Sequence, residues 1–190
     1  MRGAFFHEDD YRLIELLPLQ NWPHCVAELG DARLSSQENA DPNGLGWRDM
    51  HQITSAKIPL GTTRIRRAEL AAVLAAHFPQ FDHVESGTFS YPKQCTETCG
   101  FGSVASIAVF FDYDSSEIVE HTWFLFNPQN EHQCIEMADA LASVSKIGEL
   151  LLVDWAWGAL FKLDEGKRLT AYLLERGRIL EKPPKQSGEK

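Results

Sequence analysis

The pattern of apolar and polar positions switches along the chain between a period of two and a period near 3.6, and the switches divide it into elements. Tyr11-Arg-Leu-Ile-Glu-Leu-Leu-Pro18 predicts a strand closed by its proline. Asn21-Trp-Pro23 predicts a helix start, with Asn21 as N-cap and Pro23 in the first turn. Cys25, Val26 and Leu29 would be its buried stripe, shortened by Gly30. Asp41-Pro-Asn-Gly-Leu-Gly46 is turn punctuation, and Trp47 to Ile53 alternates loosely as a strand. From Arg66 to Phe78 the alanines and leucines predict a helix, stopped by Pro79. Phe81 to Tyr91 is rich in β-prone residues and reads as extended.

The strongest supersecondary pattern follows. Val104 to Tyr113 and Ile118 to Asn127 are dense in Val, Ile, Phe and Trp, and Asp114-Ser-Ser-Glu117 joins them as a hairpin. The second of these strands is apolar on both faces past its first residues, which places it centrally in a sheet. A helix from Asn130 to Ser145 carries Cys134, Met137, Ala138 and Leu141 on one side. Glu149 to Trp157 predicts a strand, and Ala159 to Leu163 continues or pairs with it. Asp164 or Glu165 opens a last helix to Arg176, ended by Gly177. The one firm pairing is antiparallel, so the expected class is α+β. Residues 1–180 form one domain, an antiparallel or mixed sheet with helices mainly on one face, and 181–190 form a disordered polar tail.

Composition fits one well-buried core: 190 residues, 44% hydrophobic and 11% aromatic. The apolar run at the start, Ala4 to Phe6, ends in His7-Glu8-Asp9-Asp10 and cannot serve as a secretory core. Nor does any apolar stretch reach a bilayer span. A cytoplasmic protein with reduced cysteines is expected. The net charge is −9 and unevenly spread: Gln94 to Phe161 holds ten acids and one base, Lys146. Such a stretch repels phosphate backbones, which argues against nucleic acid, and attracts a basic protein.

The motifs of familiar chemistries are missing. There is no G-x-x-x-x-G-K-[ST], G-x-G-x-x-G, G-x-S-x-G or H-E-x-x-H. Gly44-Leu-Gly46 and Gly100-Phe-Gly102 read as turn glycines. Cys95-x-x-x-Cys99, with His121 and Cys134, lacks the paired short spacings of structural zinc, and no cofactor is expected. His7 to Asp10 is either an exposed acidic loop or a hard-cation site. Asp112 and Asp114 share a parity at a strand end, with Glu117 and Glu120 across the turn. They serve the turn through Asx bonds or act as a carboxylate pair. Asp154-Trp155-Ala156-Trp157 carries three readings: tryptophans closing the core over a capping aspartate, interface anchors, or a carboxylate of raised pKa in acid–base work.

Three segments, Gly3-Ala-Phe-Phe-His-Glu-Asp-Asp-Tyr11, Gly46-Trp47 and Leu151-Leu-Val-Asp-Trp-Ala-Trp157, together resemble immunity proteins of bacterial polymorphic and contact-dependent toxin systems. The resemblance is one of general character over residues 3 to about 175. It implies an α+β chain, without catalytic residues, that binds and blocks a cognate, basic toxin. The expected contact surface is Asp112, Asp114, Glu117, Glu120, Asp154, Trp155 and Trp157. The alternative is a small metal-assisted hydrolase using Asp154 or the His7 to Asp10 cluster.

Overall fold

The computed structural model describes residues 2–181, apart from 42, 44, 45, 47, 50, 55, 89, 104 and 105, and only the backbone of 179–181. Its main element is a six-stranded sheet. In spatial order this holds β5 (Thr98–Gly102), β6 (Ile107–Tyr113), β7 (Val119–Phe126), β2 (Ile14–Pro18), β8 (Leu150–Asp154) and β9 (Ala159–Lys162), each antiparallel to its neighbour. A smaller sheet orders β1 (Gly3–His7), β3 (His83–Thr88) and β4 (Tyr91–Cys95), with β1 parallel to β3 and β4 antiparallel to it.

Strand alternation divides the core between the two faces of the large sheet. On one face Ile14, Leu16, Val109, Phe111, Phe124 and Leu152 pack under three helices. These are α2 (Arg67–Ala75), α3 (Glu131–Val144) and α4 (Gly166–Glu181), which contribute Leu70 and Leu74, Met137 and Leu141, and Leu169 and Leu173. On the other face Ala108, Phe110 and Trp123 meet Ala4, Phe6 and Val84 of the small sheet. Beside them Leu17, Leu151 and Val153 meet Cys25 and Trp22 of α1 (Trp22–Glu38). Each such buried apolar side chain is worth roughly 1.5–3 kcal/mol. The fold is α+β with three of its four described helices on one face, as predicted.

β2 is buried at every position and lies between β7 and β8. Its ladder to β7 is short, and the hydroxyl of Thr122 accepts the bond from Leu16 N at 3.0 Å in place of a carbonyl. The hairpin of β6 and β7 forms where expected, beginning at Ile107. Asn130 caps α3 by accepting from Gln133 N at 3.1 Å.

Several boundaries differ from expectation. The predicted strand at Tyr11 starts only at Ile14, because Arg12 takes a left-handed backbone (φ +61°) that ends extended pairing. The residues before it form β1, whose parallel partner is 80 residues away and invisible to local pattern. Within the stretch expected to be extended, Phe81 to Tyr91, His83–Thr88 forms β3, and the chain goes on into β4 and β5. Gly100 and Gly102 lie inside β5, not in a turn, and a Cβ on Gly102 (φ +147°) would strike the Ile107 carbonyl. α4 passes through Gly177 to Glu181, since that glycine admits the Cys134 sulfur rather than ending the helix. Trp47 and residues 182–190 of the expected tail lie outside the described residues.

Asn21 does not cap α1 with its side chain. It is fully buried and clamps residue 58 instead, accepting from Ile58 N at 3.0 Å and donating to Ile58 O at 2.8 Å. Glu28 holds the same segment from the helix above. Its carboxylate accepts from Thr54 Oγ1 at 2.6 Å and Thr54 N at 3.1 Å, and lies 3.1 Å from His51 Nε2. The Thr54 bonds, more than the histidine, pull its carboxyl down to about 2. A carboxyl lowered by folding stabilises above its ordinary pKa, and that contribution fades as pH falls through the folded value. Replacing Glu28 by Gln should therefore lower the thermal midpoint at neutral pH and flatten its fall between pH ~4.3 and ~2, as followed by circular dichroism.

Candidate functional site

Asp154 closes β8 opposite Ile14 and is completely buried. Its Oδ2 accepts from Arg176 Nε and from the Tyr172 hydroxyl, each at 2.7 Å, and its Oδ1 from Trp157 N at 3.0 Å. Burial first, and then the Asp154 carboxylate, push the Tyr172 hydroxyl pKa up, so it remains a donor. Arg176 lies between the Phe126 and Trp157 rings, 5.3 Å from each centroid, and donates from Nη1 to the Phe126 carbonyl at 2.8 Å. This is a sealed ion pair that caps a turn, so Asp154 cannot meet a partner at the surface. For Asp154 the geometry builds the capping reading, with Trp155 turned inward and Trp157 left partly exposed.

A second buried carboxylate went unnoticed in the sequence. Glu15, on β2 next to Ile14, faces the opposite side of the sheet and is 4% exposed. Arg12 Nε donates to it at 2.6 Å and Trp155 Nε1 at 2.9 Å. Trp155 is thus turned inward, and Trp157 remains 39% exposed on the turn. Removing one member of a buried pair leaves the other charge stranded, which costs about 3–5 kcal/mol. Asp154→Asn should lose about that much in urea unfolding, and Asp154→Asn with Arg176→Met should recover part of it.

The hairpin acids are at the other end of the sheet. Ile14 opposes Asp154, and the next residue, Glu15, opposes Trp123, whereas Asp112 opposes His121. Three strand spacings and several residues of rise separate the two groups by ~15–20 Å. Asp114 accepts from Ser116 N and Ile118 N, both at 2.9 Å, so it serves the turn. Glu117 (φ +62°) is ion-paired with Arg67 at 3.1 Å. Glu120 lies near Arg12, Glu15 and His121 around a small recess of about 190 Å³. Asp112 alone of the four opens on a larger cleft. The seven expected contact residues therefore do not form one surface.

What the structure does gather is the connection from Glu8 to Leu13. It stands between two clefts. One, of about 580 Å³, is mostly apolar, and its lining includes Asp10, Leu13, Phe110, Phe126 and Arg176. The other, of about 540 Å³, includes Glu8, Tyr11, Tyr91, Asp112 and Trp123. Tyr11 and Leu13 are 38% and 40% exposed, and Glu8 and Asp9 lie open to water. The left-handed Arg12 between them is pinned by Glu15, which fixes the segment's course. Tyr11 stands over Trp123, with centroids 4.8 Å apart, and its hydroxyl reaches Asp112 Oδ2 at 3.3 Å. Burial first, then Asp112, raise its pKa to about 12.

Compared with protein-family models, curated proteins and solved structures, the chain finds no significant match.

The site must therefore be read from its own chemistry. Among the described residues, no three histidine, cysteine, aspartate or glutamate side chains converge to hold a metal ion. His7 instead accepts from Asp9 N through Nδ1 at 3.3 Å and caps the short turn after β1. None of the four cysteines is in a disulfide, and burial raises the Cys25 thiol to about 12. Trp123 Nε1 is buried without a hydrogen-bond partner, a desolvation cost of about 1–3 kcal/mol. From sequence, His7 to Asp10 reads as an acidic loop or a hard-cation site and Tyr11 to Leu13 as the start of a strand. The exposed tyrosine and leucine were hidden because both were counted into that strand.

Proposed function

We propose that this chain is a non-enzymatic binding protein that neutralises a basic protein partner, in the manner of an immunity protein against its cognate toxin. One observation carries the reading: a connection with three acids, Glu8, Asp9 and Asp10, exposes Tyr11 and Leu13 between two preformed clefts. Exposed aromatic side chains beside pockets are the usual anchors of an interface, and flanking charge steers the encounter. Trp157 stacks on Arg176, which lines the apolar cleft, and extends the surface there. Asp112 extends it on the other side. The contact surface is thus centred on residues 8–13; Asp154 drops out of it because it is buried, and Asp114 and Glu117 lie at the hairpin turn, bonded to its backbone and to Arg67. Of the two sites that the hydrolase alternative could use, Asp154 has no contact with solvent, and His7 caps the turn that holds the other.

A pull-down from a bacterial lysate with the tagged chain and with an Asp9→Lys/Asp10→Lys/Tyr11→Ala variant tests this. Both acids are outside the core, so Asp9→Lys/Asp10→Lys alone should hardly move the thermal midpoint and serves as the control for Tyr11, whose ring packs over Trp123. The native chain should retain a basic protein that is lost as salt rises, and the variant should lose most of that retention. Equal retention by both, or recovery of the bait alone, would overturn the proposal.

A further inference from the structure

Three arginines of this chain sit in the same kind of seat, made of one carboxylate and at least one aromatic face. Arg67 lies 4.4 Å over the Tyr113 ring and pairs with Glu117 at 3.1 Å. Arg168 lies 5.7 Å from the Phe161 centroid and pairs with Glu165 at 2.7 Å. Arg176 is held by Trp157, Phe126 and Asp154 as described above. The cleft of about 540 Å³ has the same components, Asp112 with Tyr11 and Tyr91, yet no arginine is among its lining residues. We propose that this cleft is the seat for an arginine side chain of the basic partner, with Asp112 as its carboxylate. The inference rests on the protein-binding reading and names what the partner brings.

The parts are preorganised for that guest. Asp112 is oriented by Thr98 Oγ1 at 2.5 Å and by the Tyr11 hydroxyl at 3.3 Å. Those two bonds leave a carboxylate with further lone pairs to accept a guanidinium. Tyr91 begins the edge strand β4 and is 77% exposed, a large aromatic left in water beside the cleft. Phe6 and Trp123 lie below and give the cleft a firm, apolar floor. Two carboxylates, Glu8 and Asp112, oppose one ammonium, Lys93, so the lining favours a cation over an anion. A planar guanidinium can bond a carboxylate in its plane and stack on a tyrosine with its face, whereas an ammonium cannot do both as well. Arginine is therefore preferred to lysine.

The test is an NMR titration of the full chain with Nα-acetyl-arginine amide, Nα-acetyl-lysine amide and Nα-acetyl-norleucine amide. Arginine should give saturable shifts at the amides of Tyr91, Thr98 and Asp112, with affinity at least about fivefold above lysine. Norleucine should give none. Asp112→Asn should weaken arginine by a similar factor, and Tyr91→Ala, at an exposed position, should do so with no change in thermal midpoint. Unsaturable shifts, equal shifts from norleucine, or unchanged affinity in both variants would overturn the assignment. An arginine probe that fails while the lysate partner is still retained through residues 8–13 removes this seat and leaves the binding reading standing. A probe that binds while no partner is retained does the reverse.

Discussion

The adjacent residues Ile14 and Glu15 of β2 face Asp154 and Val153 of β8, and this short stretch carries two buried ion pairs, one on each side of the sheet. A buried carboxylate must be paired and hydrogen-bonded or it will not stay ionised. Glu15 meets that demand with Arg12 and Trp155, and Asp154 with Arg176, Tyr172 and the Trp157 amide. Each pair ties a surface segment to the centre of the fold. Arg12 anchors the Glu8 to Leu13 connection, and Arg176 anchors α4 and the end of β7. The turn from Trp155 to Trp157 is held by both. Pairs of this kind add little net stability over an apolar core of the same shape. They do fix where the loops leave the sheet, and the candidate surface is made of those loops.

That anchoring explains why the exposed side chains are where they are. A left-handed Arg12 interrupts the extended chain, so Tyr11 and Leu13 do not share one face as residues two apart would on a strand, and each borders a different cleft. Tyr11 leans over Trp123 towards Asp112, and Leu13 borders the apolar cleft. The carbonyl of Leu13 also accepts from Trp155 N at 2.9 Å, which joins the two loops directly. Rigid presentation matters for binding, because side chains already ordered in the free protein lose less entropy on association.

The fold was legible where the information is local. The hairpin, the helices beginning at Arg67 and at Glu131, and the apolar strand before Asp154 all follow from period and turn residues. β1 was not, because its pairing with β3 spans some 80 residues and Gly3-Ala-Phe-Phe-His shows no turn or alternation to announce it. The candidate site was legible only in part. Asp154 and its tryptophans stood out correctly as unusual, but sequence cannot show that Arg176, 22 positions on, lies on the carboxylate. Glu15, inside the strand expected from Tyr11 to Pro18, carries no local sign of its partners. Its burial depends on α1 and the small sheet arriving from other parts of the chain.

Charge carries a related lesson. The net charge of −9 suggested a broad acidic face, yet several of its acids are matched by neighbouring arginines or by turn backbone. Glu117 is matched by Arg67, Glu131 by Arg178, Glu165 by Arg168 and Asp154 by Arg176, while Asp114 is spent on its turn. Long-range attraction of a basic protein still follows from the total, but it decays over about 8 Å at physiological salt and distinguishes one basic protein poorly from another. Selection between such partners needs a place where charge, shape and an aromatic face coincide. Around residues 8–13 the acids remain at the surface, and there alone among the expected charged positions does a hairpin acid, Asp112, open on a cleft. Affinity for a partner should thus depend less on the size of the negative charge than on this small part of it that the fold leaves uncommitted.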